Sequence, residues 1–559
     1  MPVSLHASLL ARLDRLGEAR RVAEVASVIG REFDSALLGA ALERERECLA
    51  PMLERLVESR VLQRRGGPGG EIYRFSHALI QDAALGMLPR ERYRALHARV
   101  AAIIEERFPA SAAAQPQVIA HHRTEAMQPE QAAGWWQRGA QQAMRRGAME
   151  EALVQLRRGI ALLQALPEDP AHAQAELDMQ LLAGSALLSL RGHSALETGQ
   201  AYDRARHLAE RLPGQPQLRN AMHGQWSHAW MRGHIGLALE RAEALLGQAQ
   251  ARESHGGLAI AWSAMGHSQF ILGRFPEALE SLERGLEYEA KTERDRRYGL
   301  ALQATVISTR CYSAWARTFM GRLAEARRDL LATLAAAETA AFPFAVANAH
   351  YALGRYDYDT GADEACLARL RTTVALCEEH GIEYLAMAAK AIIGLLLGRH
   401  GDHAGGLALV REAVAWNRAA EALTFVPNYL GMEAKLTARA GDPWGALDGM
   451  SEAFAMMAES GARWESSVLL RQHGEILGRA GRAEAAEAHL RAAVATAEAQ
   501  QATLFRLHAA IPLAALLART GRGEAARATL DAALAPLAVA EEPVVLRARA
   551  ALAVLQPLP

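Results

Sequence analysis

The sequence predicts an all-α protein: a small amino-terminal domain followed by a solenoid of helix pairs repeating about every 40 residues. Three observations predict it. First, stepping by 40 from Gly481 meets glycine at Gly521, Gly441, Gly401, Gly361 and Gly321; a step of 48 reaches Gly273, another of 40 reaches Gly233, and a weaker copy stands at Gly147. Second, the residue five after each glycine is small, from Ala152 and Ala238 to Ala486 and Ala526. Large apolar residues follow at nine (Leu156, Leu282, Leu490, with Ala242 the exception) and thirteen (Ile160, Leu286, Val494). These steps of four trace one helix face. Third, a small residue recurs seven before the glycine, as at Ala140, Gly266, Gly354, Gly394 and Gly474. Small residues on both helices let two backbones approach, with the glycine as the turn between them.

Residues 2–16 predict a first helix, with Ser4 as its cap and Leu5, Leu9, Leu13 and Leu16 as its apolar stripe. Gly17 breaks it, Arg20–Ile29 gives a second, a third follows Asp34, and Ala50–Val61 gives a fourth. The Gly/Pro tip Gly66–Gly70 precedes Ile72, Tyr73 and Phe75 in strand-like alternation. Helices followed by such a hairpin describe a winged helix, and Ala78–Met87 and Tyr93–Glu106 complete a domain over residues 1–108. Residues 109–132, with Pro109, Pro116 and Pro129, predict a linker. Residues 133–232 hold degenerate first repeats, including one around Gly192; residues 233–541 hold the regular ones. The extra eight residues before Gly321 fall near the charge run 287–297, which reads as a solvated loop. Residues 542–559, with the helix Val544–Leu555, predict a cap over the solenoid's open end.

Composition excludes several classes. Among 559 residues, 50% are hydrophobic and 22% charged, a globular balance, and the net charge of -1 gives no pull towards nucleic acid or anionic lipid. No signal peptide or membrane span is read, so the expectation is a cytoplasmic protein. Cys48, Cys311, Cys366 and Cys377 form no Cys-x-x-Cys pair and read as reduced, buried thiols. Gly66–Gly70 lacks the Gly-Lys-Ser/Thr of a phosphate loop, and Lys291-Thr292 follows Ala290. The chain therefore carries no nucleotide-hydrolysing core, catalytic constellation or cofactor of its own. His121 and His122 are adjacent, so on a helix they point about 100° apart; no metal site is assigned.

With Trp136 and Trp262 eleven residues before their glycines, the pattern resembles the tetratricopeptide repeat, whose usual period is ~34. That resemblance implies a right-handed superhelix with a groove that binds a protein partner or effector. Some members grip a carboxylate with Lys and Asn at fixed inner positions. Here, six before the glycine, stand His267, Arg355 and Lys435, candidates to face an acidic ligand, with a solvated surface as the default reading. No Lys–Asn pair recurs.

The stretches SLHASLLARLDRLGEARRVAEVASVIGREF and YRFSHALIQDAAL, with IAHHRTEA and WWQRGAQQAM, resemble the region after the nucleotide-binding core of bacterial STAND-type ATPases. They are similar in particular to regulators joining a class III nucleotide cyclase, an AAA-type ATPase and tetratricopeptide repeats. The resemblance implies a non-enzymatic sensor half, an ATPase core as partner in cis or in trans, and ATP or ADP only where that core is supplied. In the stretch Phe75–Asp82, His77 matches the histidine of a Met-His-Asp motif that contacts nucleotide phosphate, although Ala78 replaces its aspartate. The alternative is a DNA-binding regulator using Ala50–Val61 with Arg55, Arg60, Arg64 and Arg65. Against it, Leu53, Leu56, Val57, Val61 and Leu62 leave that helix apolar, and residues 1–108 carry only 17 arginines against 15 acids. One mechanical expectation follows from the repeats. Each should be supported only by its neighbours, so overpacking at Ala486 should fray the array towards Leu555 and leave the amino-terminal domain folded.

Overall fold

The computed structural model describes residues 3–67, 70–212, 217–292, 299–340 and 342–555. The hairpin tip at Pro68 and Gly69 and the part of the charge run over residues 293–297 lie outside the described residues. The chain forms two compact units: Met1–Leu190 with Arg204–Gln215, and Arg191–Asp203 with Pro216–Pro559.

The first unit opens with α1 (Val3–Asp14), α2 (Glu18–Ile29), β1 (Glu32–Asp34), α3 (Ser35–Leu42), α4 (Arg46–Glu58), β2 (Leu62–Gly67), β3 (Gly70–Phe75), α5 (Ala78–Gly86) and α6 (Arg90–Arg107). Ser4 lies inside α1, not at its cap. The Asp34 carboxylate starts α3 by accepting from the Ala36 N–H at 2.6 Å. The three strands are antiparallel in the order β1-β3-β2, with Tyr73 paired to Phe33 on one side and Arg64 on the other. Tyr73 and Phe75 are buried, and with Phe33 they fasten the sheet to Leu38, Leu53 and Leu56.

Two sequence readings need correcting here. The fourth helix begins at Arg46 and ends at Glu58, because the chain turns through Arg60 (φ 54°), leaving buried Val61 to lead into β2. Its apolar face is spent on the core, and the Arg64 guanidinium is paired with Glu54. Residues 109–132 are also helical: Pro109–Ala114, Pro116–Glu125 and Pro129–Arg145 each start on proline, where a missing N–H costs nothing. His122 is buried there with its Nδ1 2.9 Å from that of His97, and Arg123 forms a two-pronged pair with Glu105 at 3.0 and 2.7 Å. Burial, then each neighbouring histidine, pushes His122 down to about 3 and His97 to about 4, so the imidazoles form a neutral donor–acceptor pair. Cys48 is exposed, whereas Cys311, Cys366 and Cys377 are buried.

In the second unit, antiparallel helix pairs follow one another from Leu218–Met231 and Ile235–Ala251 to Thr503–Arg519 and Gly523–Leu534. The glycines from Gly233 to Gly521 that mark the turns all take φ between 73° and 107°, a region only glycine enters freely. Within pairs, helices meet backbone to backbone. A Cβ on Gly394 would lie 2.6 Å from the Gly406 carbonyl oxygen, and one on Gly406 would strike the Gly394 carbonyl in return.

Sequence periodicity gave no sign that the unit winds back onto itself. The Arg463 and Trp464 N–H groups donate to the Ile271 carbonyl at 2.7 and 3.0 Å. Thr424 Oγ1 donates to the Met231 carbonyl at 3.0 Å across 193 residues, and Tyr356 OH to Glu542 at 3.1 Å across 186. Helix Gly299–Phe319 packs on Thr503–Arg519, and Pro343–Thr360 on Pro543–Val554. The last helix therefore packs on the final pair, Thr503–Arg519 and Gly523–Leu534, and also closes onto an earlier turn. An aromatic seam joins the turns: Trp230 to Phe425 (5.6 Å between centroids), Phe270 to Trp464 (5.7 Å) and Phe319 to Phe505 (4.3 Å). The expectation of repeats supported only by sequence neighbours is overturned by these contacts.

Candidate functional site

The inner face of this closed winding holds two cavities, both within the second unit. The first helices of successive pairs supply most of their walls, which is why the position six before the glycine recurs in them. His267, Trp315 and Arg355 line the first; Arg355, Lys435 and Glu475 line the second.

The first cavity measures 220 Å³ and is walled largely by aromatic rings. His267 and Tyr312 lie 4.3 Å apart between centroids, Tyr312 and Trp315 4.9 Å, and Trp315 and Tyr351 5.8 Å, with Trp226, Trp230, Tyr384, Phe425, Tyr429 and Trp464 around them. His267 donates from Nδ1 to the Ser263 carbonyl at 2.6 Å, which leaves Nε2 to accept from Ser308 Oγ at 3.1 Å. Burial drives the imidazoles of His193, His223 and His267 down to about 4, so all three are neutral at pH 7. Burial also raises the phenols of Tyr312, Tyr351, Tyr384 and Tyr429.

Several polar groups in this wall are uncommitted. The side chain of Asn348, 7% exposed, has no hydrogen-bond partner among the described residues, nor do the hydroxyls of those four tyrosines. In the same wall the buried indole N–H groups of Trp230 and Trp464 have no partner among the described residues, and a buried donor left unpaired carries a desolvation cost that an incoming acceptor relieves. The wall has one charged feature. Arg355, 6% exposed, pairs with Asp359 at 2.7 Å and with Glu465, and its guanidinium lies 5.1 Å from the Trp464 ring centroid. Glu465 also accepts from Asn428. Burial, opposed by Arg355, lifts Asp359 to about 6. The solvated default for Arg355 is thus wrong: its charge is already answered inside the protein. The combination of flat apolar walls, neutral hydrogen-bonding groups and no free charge suits a neutral, aromatic-bearing ligand.

His77 is exposed at the start of α5, where its Nδ1 accepts from the Leu79 N–H at 3.2 Å. It caps that helix, and among the described residues no second titratable group is hydrogen-bonded to it. Among the described residues, no cluster of histidine, cysteine, aspartate and glutamate is arranged to hold a metal ion, and no helix is long and apolar enough to cross a membrane.

The buried histidines make a pH prediction. His267, 5% exposed, holds its proton less tightly folded (about 4) than unfolded (about 6.5). Below pH 6.5 the unfolded chain takes up a proton that the fold refuses, so stability present above 6.5 is lost as pH falls and levels off below about 4. At pH 5 this one group removes about 2 kcal/mol. Melting curves at pH 7 and 5 should show the drop, and the His267→Gln chain should show a smaller one.

Comparison with known proteins fits this architecture. The chain is 27% identical over 524 residues to an uncharacterized protein of Rhizobium meliloti (strain 1021), covering 90% of this chain and 49% of that protein; it thus spans about half the relative's length. No family profile matches the sequence. Among solved structures, a Rap protein complexed with competence and sporulation factor aligns over 66% of this chain and 99% of its own, with a TM-score of 0.50 and 14% identity. A STAND protein with a tetratricopeptide repeat sensor from Pyrococcus horikoshii aligns over 85% of this chain and 62% of its own, with a TM-score of 0.34 and 8% identity. The Rap likeness is one of fold alone: an all-α winding of helix pairs.

Proposed function

We propose that this chain is a non-enzymatic sensor and scaffold module that captures an effector inside its solenoid and passes that state to a partner. The observation that carries the reading is the aromatic cavity with its unpaired amide and indoles. A wall that leaves the Trp230 and Trp464 indole N–H groups buried and unpaired among the described residues, beside the uncommitted Asn348 amide, is poorly explained by packing alone and well explained by a ligand. The Rap protein, of similar fold, was crystallised in complex with competence and sporulation factor, which supports this use.

In this reading the first 108 residues form a winged helix, and residues 109–132 join it to the early repeats. The 40-residue period and right-handed winding are those of lengthened tetratricopeptide repeats. The sequence resemblance to cyclase-linked STAND regulators supports docking of the amino-terminal unit on an ATPase core, in cis or in trans and in the cytoplasm, where His77 would turn from its capping role towards a bound phosphate. Lys435 and Arg355 would shape the inner groove, with no role for nucleic acid or membrane.

The test uses a neutral fluorescent aromatic, N-phenyl-1-naphthylamine, titrated into the full chain. Saturable binding that quenches tryptophan emission is expected. It should be abolished in Ala388→Trp, which fills the cavity, and weakened in Asn348→Leu, which does not. Binding unchanged in both folded variants would refute the pocket. ATP turnover that survives purification would remove the non-enzymatic reading.

A further inference from the structure

The second cavity is chemically unlike the first. It measures 520 Å³, within the range of small-molecule sites. Its cations are Arg355, Arg399, Lys435, Arg439, Arg471 and Arg547, set against only four carboxylates, Asp359, Asp363, Glu465 and Glu475. Those carboxylates are already claimed. Arg355 takes Asp359 and Glu465, Arg399 takes Asp363, and Glu475 is shared by Arg471 at 2.5 Å and Lys435 at 3.7 Å. Arg439 and Arg547 have no ion-pair partner among the described residues.

The repeat explains why Arg439 is left over. Arg399, Arg439, Arg479 and Arg519 stand two residues before successive marker glycines. Arg399 finds Asp363 at the start of the preceding second helix, but forty residues on the equivalent position is His403, which offers no carboxylate. Arg547 comes from the far end of the chain and reaches the cavity because helix Pro543–Val554 packs on Pro343–Thr360, laying the guanidinium against Gly361. The surplus is felt by its neighbours. Burial, then repulsion from Arg471, Arg439 and Arg399, outweighs Glu475 and brings the Lys435 ammonium down to about 7. Arg439 is likewise lowered, by burial first and by Arg399 and Arg479 after it.

We propose that this second cavity binds the dianionic oxyanion group of a small molecule, a phosphate monoester or a dicarboxylate, between Arg439, Arg547 and Lys435. Two guanidinium groups without partners match two negative charges, and each presents the planar fork that takes oxyanions two-pronged. A monoanion would leave one guanidinium unanswered. The site adjoins the aromatic cavity, with Arg355, Met432 and Glu465 lining both.

Thermal melts and calorimetric titrations of the full chain, at constant ionic strength with chloride as the control salt, test the assignment. Inorganic phosphate and succinate are the probes. A saturable rise in melting temperature with phosphate alone assigns the phosphate class, with succinate alone the dicarboxylate class, and with both a general dianion site. Arg439→Gln and Arg547→Gln should each weaken the effective probe at least tenfold. Neither variant breaks a native ion pair, so both should fold. Arg519→Gln, from the same ladder but outside the cavity, should leave affinity unchanged. The assignment is overturned if neither probe acts beyond chloride, or if the effect persists in the folded double variant.

Discussion

Arg355→Ala should lower the stability of the second unit by about 3–5 kcal/mol, the range for breaking a buried ion-pair network. The guanidinium sits between Asp359 and Glu465, whose side chains are only 4% and 3% exposed. Asp359 is already lifted to about 6 with the arginine in place. Removing the cation leaves two carboxylates in a dry wall, where each must either protonate or draw in water. Most of the loss is therefore the cost of the orphaned acids, not the worth of the pair. Arg355→Met combined with Asp359→Asn and Glu465→Gln should accordingly recover much of it. Urea denaturation followed by tryptophan emission measures both chains; a single-variant loss below about 1 kcal/mol would show that the network is not structural.

Phe505→Ala should cost a comparable ~3–5 kcal/mol, the usual range for emptying a buried aromatic site. Phe505 is 1% exposed and touches Phe319 at 4.3 Å and Phe275 at 6.4 Å between centroids. Where the loss appears matters more than its size. In an array held only between neighbours, hydrogen-exchange protection would fall near residues 483–534. Because the seam spans two turns, protection should fall equally over residues 255–319. A purely local response would contradict the closed winding.

The helix pairs, their turns and their inner faces were legible in the sequence because each depends on contacts within about one repeat. Gly394 and Gly406 announce their close approach through residue size alone, and His267, Arg355 and Lys435 were found by asking which residue of the first helix faces inward. The partner of Arg355 was not legible. Glu465 lies 110 residues further on, and which repeats face one another depends on superhelical pitch, which no periodicity reports. The same gap hid the aromatic cavity, whose Tyr312, Tyr351 and Phe425 fall at different repeat offsets and converge only when the turns stack. It also turned Arg355 from a surface residue into a core one. In the first unit the hydrophobic stripe of α1 was readable, but the end of α4 was not, since buried Val61, just ahead of β2, fits the helix pattern equally well.

Closure also fixes the copy number of the repeats. An open solenoid can gain or lose a unit by duplication or deletion, because every junction looks like every other. Here the carbonyl of Ile271 is reserved for Arg463 and Trp464, and Tyr356 for Glu542. Excising one helix pair between them would slide every later turn past its counterpart by a whole unit and take Phe505 out of register with Phe319. The number of units per winding is thus set by contacts between turns and not by the junctions within a pair.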